Sequence, residues 1–247
     1  MSRMELEGKV ALVTGSGVRL GRALALALAR EGAGLIIHYH ASADAAEDTV
    51  QEIRALGRQA IRLQADLSRF GEMRPLVEQA RTRMGRLDVL VNSAAIFQAA
   101  SVADTSERNW DRHFALNLKA PFFLSQAFAA QVAADQRAHI VNIADWRGVQ
   151  PEPEYLAYSL TKSGLLAMTK ALALALAPTI QVNAIAPGAI LPPPGEDQGY
   201  LEELAKHRIP LRRPGSPAEV AKALIYLLSS DFVTGETLFV TGAQHLA

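Results

Sequence analysis

Cysteine is absent from the 247-residue chain. This absence excludes disulfide bonds, thiolate nucleophiles and cysteine-type metal sites, and it is compatible with a reducing compartment. An excess of charge of one sign is also lacking, because 25 lysine and arginine residues balance 25 aspartate and glutamate residues. A neutral chain without a basic run lacks the cluster of positive charge that would bind nucleic acid or an anionic membrane. We therefore expect the partner to be a small molecule.

Long uncharged apolar runs are lacking as well. No run reaches the length of a membrane-spanning helix, and residues 1–7 lack the apolar core of a signal peptide. We therefore expect a soluble, cytoplasmic protein that contacts no membrane.

Short apolar runs alternate with helical stretches along the chain, of which 49% is hydrophobic. This alternation predicts right-handed crossovers and a parallel sheet covered by helices on both faces. We therefore expect residues 1–247 to form one α/β domain, a doubly wound sheet of the Rossmann type. The strands are predicted at 9–14, 35–39, 60–64, 88–92, 139–143, 180–185 and 237–240.

Two prolines mark the predicted helices of the second half. Pro121 is expected to bend a helix that runs from about 107 to 134, because proline donates no backbone hydrogen bond. Pro178 is expected to end the helix that carries Tyr158 and Lys162.

A glycine-rich turn, residues 15–21, follows the first predicted strand and precedes a run of strong helix formers that begins at Arg22. Glycine lets the backbone approach a pyrophosphate, which the N-terminus of a helix favours electrostatically, and Gly21 lets the helix pack closely on the strand. The turn therefore predicts a phosphate-binding unit. By itself such a turn is also compatible with a simple connection between strand and helix.

Tyr158 and Lys162 are four residues apart and therefore share one face of a helix, with Asp145 preceding them. An ammonium group near the phenol lowers the energetic cost of the phenolate. Such a tyrosine serves as a general acid for a group that gains a hydride. The pair alone is weak evidence, since the same spacing also arises on solvated helix faces.

The segment 187–199 is long, rich in proline and placed after the end of a predicted strand, where open α/β sheets bind their ligands. We predict that residues from 187 to about 210 form a substrate loop with a lid at 187–199. A plain surface connection is the alternative.

Together these motifs resemble the short-chain dehydrogenase/reductase family over essentially the whole chain. The matching segments are Thr14-Gly15, Ala65-Asp66-Leu67, Asn92-Ser-Ala-Ala95, Asn117, Tyr158-x-x-x-Lys162 and Asn183-x-x-x-Pro187-Gly188. The resemblance implies an NAD(P)-dependent oxidoreductase in which Tyr158 donates a proton. It further implies that Lys162 holds the nicotinamide ribose and lowers the tyrosine pKa, and that Asn117 supports a water-linked proton relay. A homotetramer is also implied, since relatives bury the C-terminal tail and the helices near 107–134 and 156–177 between subunits.

The resemblance also predicts the residues that bind the cofactor and the substrate. The cofactor residues are Gly15, Ser16, Arg19, Leu20, Gly21, His40, Ser42, Asp66, Leu67, Asn92, Ser93, Ala94, Tyr158, Lys162, Pro187, Gly188 and Ile190. The substrate residues are Arg19, Phe97, Asp145, Tyr158 and Leu191, and the catalytic residues are Tyr158, Lys162, Asp145 and Asn117. We expect Trp146 and Arg147 to border the same pocket.

Three departures from the family pattern resemble its pteridine reductase branch, including the dihydromonapterin reductase type. Arg19 replaces a glycine, Asp145 replaces a serine, and Ile190-Leu191 replaces a threonine. The segment His38-Tyr-His-Ala-Ser42 and the position of Phe97 are similar to that branch too.

Physical chemistry supports the same interpretation. An ionised Asp145 repels the negative charge that develops on a carbonyl oxygen during reduction, whereas it accepts hydrogen bonds from a pterin or relays a proton to its ring nitrogen. Phe97 offers an aromatic wall for a flat pterin, although a core role is equally open. Arg19 is placed to reach both the phosphates and the polar edge of a pterin.

The cofactor is predicted to be NADP(H). The second strand ends without the acidic residue that binds the 2′-hydroxyl group of NAD, and His40 and Ser42 offer donors to a 2′-phosphate. Ala41 stands where relatives of the pterin branch carry arginine, which weakens this expectation. Asp44 is expected to start the next helix rather than to select NAD.

The sequence thus predicts an NADPH-dependent reductase of a dihydropterin such as dihydromonapterin or dihydrobiopterin, with dihydrofolate as a poorer substrate. Two alternatives stay open: a carbonyl reductase that acts on an oxoacyl thioester, sugar or other ketone, and a non-catalytic dinucleotide-binding protein. His113, His139 and His207 lack the spacing of metal ligands, so we expect structural or surface roles for them and no metal site.

Overall fold

Seven parallel strands form a single sheet in the order β3-β2-β1-β4-β5-β6-β7. The computed structural model describes residues 6–193 and 195–247. The strands are β1 Val10–Val13, β2 Gly34–Tyr39, β3 Ala60–Gln64, β4 Val89–Asn92, β5 Ala138–Ile143, β6 Ile180–Pro187 and β7 Thr237–Val240. The order reverses between β1 and β4, so a crevice opens at their carboxyl ends, where such sheets bind ligands.

Helices connect the strands and cover both faces of the sheet. They are α1 Arg19–Arg30, α2 Ala43–Ala55, α3 Met73–Met84, α4 Glu107–Phe114, α5 Ala120–Ala129, α6 Leu156–Leu176, α7 Gln198–Arg208 and α8 Pro217–Ser229. Helices α1, α2 and α8 pack on one face, and α3, α5 and α6 pack on the other. The predicted doubly wound sheet is confirmed.

Alternate residues of the central strands supply the two cores. Val13 of β1 and Ile37 of β2 point to the face of α1, whereas Leu12 and Ile36 point to the face of α3. All four side chains are fully buried. Because both faces are covered, the strands are continuous apolar runs rather than alternating patterns, as expected for a parallel sheet.

The prediction for residues 107–134 is wrong in detail. Helix α4 passes into a π-helix, Ala115–Lys119, before α5 begins, and α5 ends at Ala129. Pro121 lacks the N–H group that the carbonyl of Asn117, four residues earlier, receives in a regular helix. The distortion therefore lies in the turn before the proline rather than at it.

Other boundaries differ only slightly from the prediction. Helix α1 begins at Arg19 instead of Arg22, and β6 continues to Pro187. The helix that carries Tyr158 ends just before Pro178, as predicted, and α2 includes Asp44 in its first turn. In the described part of the chain, no helix combines the length and the hydropathy needed to cross a membrane.

Candidate active site

A cavity of about 530 Å³ lies at the carboxyl edge of the sheet. Its volume is in the range of small-molecule and cofactor sites. The glycine turn after β1, the residues that follow β4, β5 and β6, one end of α6 and one face of α7 form its walls. The glycine turn and the segments after β4, β5 and β6 each begin at the carboxyl end of a buried strand.

Most of the predicted site residues line this cavity. They are Gly15, Arg19, Leu20, Gly21, His40, Asp66, Leu67, Ser93, Ala94, Phe97, Asp145, Tyr158, Lys162, Pro187, Gly188, Ile190 and Leu191. Trp146 and Arg147 border it as well. Residues from sequence positions 15 to 191 therefore meet in one place.

Tyr158 and Asp145 form the polar centre of the cavity. The phenol of Tyr158 donates a hydrogen bond to Oδ2 of Asp145 at 2.9 Å. Burial raises the pKa of Asp145, while the charge and the backbone N–H of Arg147 and the ammonium group of Lys162 oppose this rise. Burial also raises the pKa of Tyr158 well above its ordinary value, and the negative charge of Asp145 adds to the effect. The two groups are therefore arranged to exchange a proton.

Lys162 is buried beside this pair. Its ammonium nitrogen donates to the carbonyl oxygen of Ile143 at 2.7 Å and lies 5.5 Å from the centre of the Tyr158 ring. Burial lowers the pKa of Lys162 to about 8, against an opposing effect of Asp145. Asp145 is the charged group that contacts the hydroxyl of Tyr158, and it favours the protonated phenol. The expectation that Lys162 lowers the pKa of Tyr158 stays a prediction.

Phe97 belongs to an aromatic cluster in the cavity wall. Its ring stacks on Tyr155 with centroids 4.4 Å apart and meets the ring of Tyr158 edge to face at 4.8 Å. The guanidinium carbon of Arg147 lies 5.2 Å from the centres of both the Phe97 and the Tyr155 rings. The predicted position of Phe97 in the wall is confirmed, and stacking with a substrate stays a prediction.

The glycine turn is shaped for a phosphate. Gly15 has φ +65°, and a Cβ atom at Gly21 would lie 2.4 Å from the carbonyl oxygen of Gly15. Helix α1 starts after Val18, whose side chain cannot accept a hydrogen bond from the amides of the first turn. These amides and the helix dipole are therefore suited to hold a pyrophosphate.

Arg19 has φ +52°, in the left-handed region that favours glycine. Glycine adopts this conformation without steric cost, whereas arginine is strained in it. The guanidinium group donates to the carbonyl oxygen of Pro192 at 2.5 Å. Arg19 therefore connects the phosphate turn to the segment that follows β6.

His38 also lines the cavity, although the sequence analysis did not place it in the site. Its Nδ1 accepts a hydrogen bond from the amide of Gly15 at 3.0 Å, and its Nε2 lies 3.1 Å from the carbonyl oxygen of Ala65, to which it donates in this tautomer. Burial lowers its pKa to about 4, so the ring is neutral at pH 7. A histidine within an otherwise apolar strand was the signal available in the sequence.

Four predicted site residues do not line the cavity: Ser16, Asn92, Asn117 and Ser42. The hydroxyl of Ser16 donates to the carbonyl oxygen of Val13 at 2.6 Å, and the amide of Asn92 donates to Oδ1 of Asn142 at 2.8 Å. Both side chains are buried beneath the sheet edge, because they turn inward where the strands end. Their predicted contact with the cofactor stays a prediction.

The third is Asn117, in the π-helix. Its side-chain oxygen accepts from the amide of Ile96 at 2.9 Å, and its nitrogen donates to the carbonyl of the same residue at 3.0 Å. The same nitrogen also donates to the hydroxyl of Thr161 at 3.4 Å. The role of Asn117 in a water-linked proton relay stays a prediction. Asn117 also fixes the segment that carries Phe97.

The remaining predicted cofactor residues are at the end of β2. His40 lines the cavity, with its Nε2 3.8 Å from Oδ2 of Asp66. Ser42 is not part of the wall, but its hydroxyl lies 3.1 Å from the point where a Cβ atom of Gly17 would stand. Ser42 therefore sits against the glycine turn.

The predicted substrate loop forms a wall of the cavity. Leu191 and Pro193 line it, as do Tyr200, Leu201 and Leu204 of α7, while Pro194 lies outside the described residues. The histidines take the structural and surface roles expected of them: His113 and His139 are buried, and His207 contacts Glu203 on the exposed side of α7.

Comparisons with known proteins cover nearly the whole chain. The family model described as enoyl-(acyl carrier protein) reductase matches residues 17–245. The 3-oxoacyl-[acyl-carrier-protein] reductase FabG of Staphylococcus epidermidis is 33% identical over 242 residues, which cover 96% of this chain and 99% of that protein. FolM alternative dihydrofolate reductase 1 from Brucella canis, solved in complex with NADP, gives a TM-score of 0.93 at 37% identity and covers 98% of this chain and 96% of its own. A short-chain dehydrogenase from Burkholderia cenocepacia, also solved with NADP, gives a TM-score of 0.90 at 30% identity and covers 98% of this chain and 99% of its own.

Proposed function

The chain belongs to the short-chain dehydrogenase/reductase family and is an NADP-dependent oxidoreductase, and we propose that it reduces a dihydropterin such as dihydromonapterin or dihydrobiopterin. Dihydrofolate is proposed as a further substrate. The similarity to the FolM alternative dihydrofolate reductase supports this assignment. The observation that carries it is the hydrogen bond from Tyr158 to a buried carboxyl group, that of Asp145, where a carbonyl reductase of this family carries a serine.

The cavity fits the cofactor. The turn at Gly15 and Gly21 and the first amides of α1 would hold the pyrophosphate, because a side chain at either glycine meets backbone at 3.0 Å or less. Strand β2 ends at Tyr39 and is followed by His40, Ala41 and Ser42, none of which carries the carboxylate that would bind the 2′-hydroxyl group of NAD. When bound, NADPH supplies the hydride.

The reaction proposed is reduction of a C=N bond of the pterin ring. The ring carbon gains the hydride, the electron pair of the C=N bond moves to nitrogen, and that nitrogen takes the phenolic proton of Tyr158. The resulting phenolate lies near the ammonium group of Lys162, whose charge stabilises it. A proton from solvent then restores the phenol of Tyr158, whose hydroxyl again donates to the carboxylate of Asp145 at 2.9 Å.

Asp145 also discriminates between substrates. A ketone places negative charge on oxygen during reduction, and a carboxylate beside that oxygen raises the barrier. A pterin instead presents N–H groups, from which Asp145 can accept hydrogen bonds. Its flat ring also has a shape suited to stacking on the aromatic cluster of Phe97 and Tyr155. The pocket therefore favours a nitrogen heterocycle.

Carbonyl reduction is the second candidate, because the FabG relative acts on 3-oxoacyl groups and 96% of this chain aligns with it. Substitution at Asp145 separates the two. We expect Asp145→Ser to lose turnover of the pterin by about 100-fold or more, the usual effect of removing one acid–base group, and to gain turnover of an acetoacetyl thioester. Asp145→Asn, which keeps the shape, serves as the control for packing and is expected to lose pterin turnover without gaining ketone turnover. A wild-type enzyme that already prefers the thioester would contradict the proposal.

We also propose a homotetramer. Large apolar side chains stand exposed on α4, α5 and α6, among them Trp110, Phe122 and Leu174, the last of which is 86% exposed. Exposed large apolar side chains are a feature of subunit interfaces. Light scattering should give four times the chain mass of 26.6 kDa, and a monomeric mass would overturn this part of the proposal.

A further inference from the structure

Four charged side chains of alternating sign lead from the catalytic carboxyl group to helix α7. Arg147 Nη1 lies 3.5 Å from Oδ1 of Asp145, and Arg147 Nε lies 2.5 Å from Oε2 of Glu152. The other oxygen of Glu152, Oε1, lies 3.1 Å from Nη2 of Arg208. One carboxylate oxygen of Glu152 therefore contacts an arginine of the site, and the other contacts an arginine of α7.

The first three of these four charged side chains are shielded from water. Their side chains are 14%, 17% and 20% exposed for Asp145, Arg147 and Glu152, against 61% for Arg208. Charges interact more strongly where water is excluded, so each contact among the first three affects the next. Arg208 is the exposed end, where movement of α7 can break the contact without disturbing the core.

Helix α7 has a direct effect on the cavity. Its residues Tyr200, Leu201 and Leu204 line one wall, and Arg208 is its last residue. The position of α7 therefore determines the shape of the substrate pocket. It also determines whether Arg208 is close enough to contact Glu152.

We propose that Glu152 couples the position of α7 to the charge on Asp145, with Arg147 and Glu152 as positioning residues and Arg208 as the contact that anchors the helix. This inference rests on the proposed role of Asp145 but not on the identity of the substrate. When α7 is docked, Arg208 neutralises part of the charge of Glu152, and Arg147 is freed to stabilise the carboxylate of Asp145. When α7 moves away, Glu152 draws Arg147 more strongly, and Asp145 binds its proton more tightly.

The sign of each contribution follows from the contacts. The ionisable groups that act on Asp145 are Arg147 in the same turn and Lys162 and Tyr158 on α6. Arg147 and Lys162 both favour the carboxylate, and burial favours the protonated carboxyl group. Removing the charge of Arg208 therefore should raise the pKa of Asp145, and removing that of Glu152 should lower it.

The test measures the protonation of Asp145 directly, by the infrared carbonyl stretch of its protonated carboxyl group during a pH titration of the full-length enzyme without substrate. The band is identified by its loss in Asp145→Asn. We expect Arg208→Met to raise the midpoint and Glu152→Gln to lower it, each by roughly half a pH unit. The double variant should have the same titration midpoint as Glu152→Gln alone, because Arg208 acts through Glu152.

A matched control lies on the same turn of α7. Lys206 Nζ contacts Glu203 at 2.7 Å and not Glu152, so Lys206→Met should leave the midpoint unchanged. Amide hydrogen exchange supplies a second readout: exchange in α7 should rise in Arg208→Met and in Glu152→Gln but not in Lys206→Met.

Two results would overturn the inference. One is a shift by Arg208→Met that persists in the Glu152→Gln background, which would mean that Arg208 acts on Asp145 by direct electrostatics. The other is a midpoint that neither single variant moves. Absence of pterin turnover alongside the expected shifts would instead overturn the proposed substrate and leave the coupling intact.

Discussion

The imidazole of His38 accepts a 3.0 Å hydrogen bond from the backbone amide of Gly15, the first residue of the phosphate turn. The other ring nitrogen is bound to the carbonyl of Ala65, so His38 ties the turn after β1 to the ends of β2 and β3. A buried side chain with both polar atoms satisfied holds its neighbours in one geometry. The shape of the phosphate turn therefore depends on a residue 23 positions away in sequence.

We predict that His38→Leu weakens the binding of NADPH by about tenfold, because an unsatisfied buried amide at Gly15 costs ~1–3 kcal/mol and the turn relaxes to regain a partner. His38→Asn is the control, since its side-chain oxygen can take the place of Nδ1. Fluorescence titration of NADPH checks both variants. Equal affinities in wild type and His38→Leu would show that the turn holds its shape without His38.

Protein stability should fall as the pH is lowered towards 4. The pKa values of His38 and His139 are each lowered by burial to about 4, from an ordinary value of 6.5. Between these two pH values the unfolded chain binds more protons than the folded protein, so the free energy of unfolding decreases with decreasing pH. Going from pH 7 to pH 5, each histidine should cost about 2 kcal/mol.

Urea denaturation at the two pH values measures this loss. His38→Asn and His139→Asn remove one titrating group each, and each variant should show a smaller difference between pH 7 and pH 5 than the wild type. A difference that is the same in all three proteins would mean that neither histidine is responsible for it.

We predict that alanine at position 21 impairs the binding of NADPH, whereas alanine at position 71 does not. A Cβ atom at Gly21 would lie 2.4 Å from the carbonyl oxygen of Gly15, so Gly21→Ala must push α1 away from the turn. A Cβ atom at Gly71 would meet nothing within 4 Å. We expect Gly21→Ala to weaken NADPH binding by about tenfold or more, which corresponds to at least ~1.4 kcal/mol. Gly71→Ala should bind NADPH as the wild type does, and a similar loss in both would contradict the packing argument.

Much of the fold was predictable from sequence because the pattern of apolar residues indicates which segments are buried. The strands, buried on both faces, stand out as apolar runs, and Pro178 ends α6 where the chemistry of proline requires it. The π-helix at Ala115–Lys119 was not predictable in this way, because it depends on how the backbone before Pro121 satisfies its carbonyls in three dimensions.

The site was predictable where it depends on spacing within one helix, as for Tyr158 and Lys162, or on resemblance, as for Asp145. It was not predictable for Asn92, since the direction of a side chain at a strand end depends on its neighbours. The contact of Arg208 with Glu152 joins residues 56 positions apart, and no local pattern indicates it.

The central claim is that Asp145 and Tyr158 serve a nitrogen heterocycle rather than a ketone. The most direct measurement is the rate of NADPH oxidation by the wild-type enzyme with dihydrobiopterin or dihydromonapterin, beside an acetoacetyl thioester, with NADH as the control cofactor. The account predicts turnover of the pterin with NADPH and little with the thioester. Turnover of the thioester alone would contradict it and would identify an ordinary carbonyl reductase.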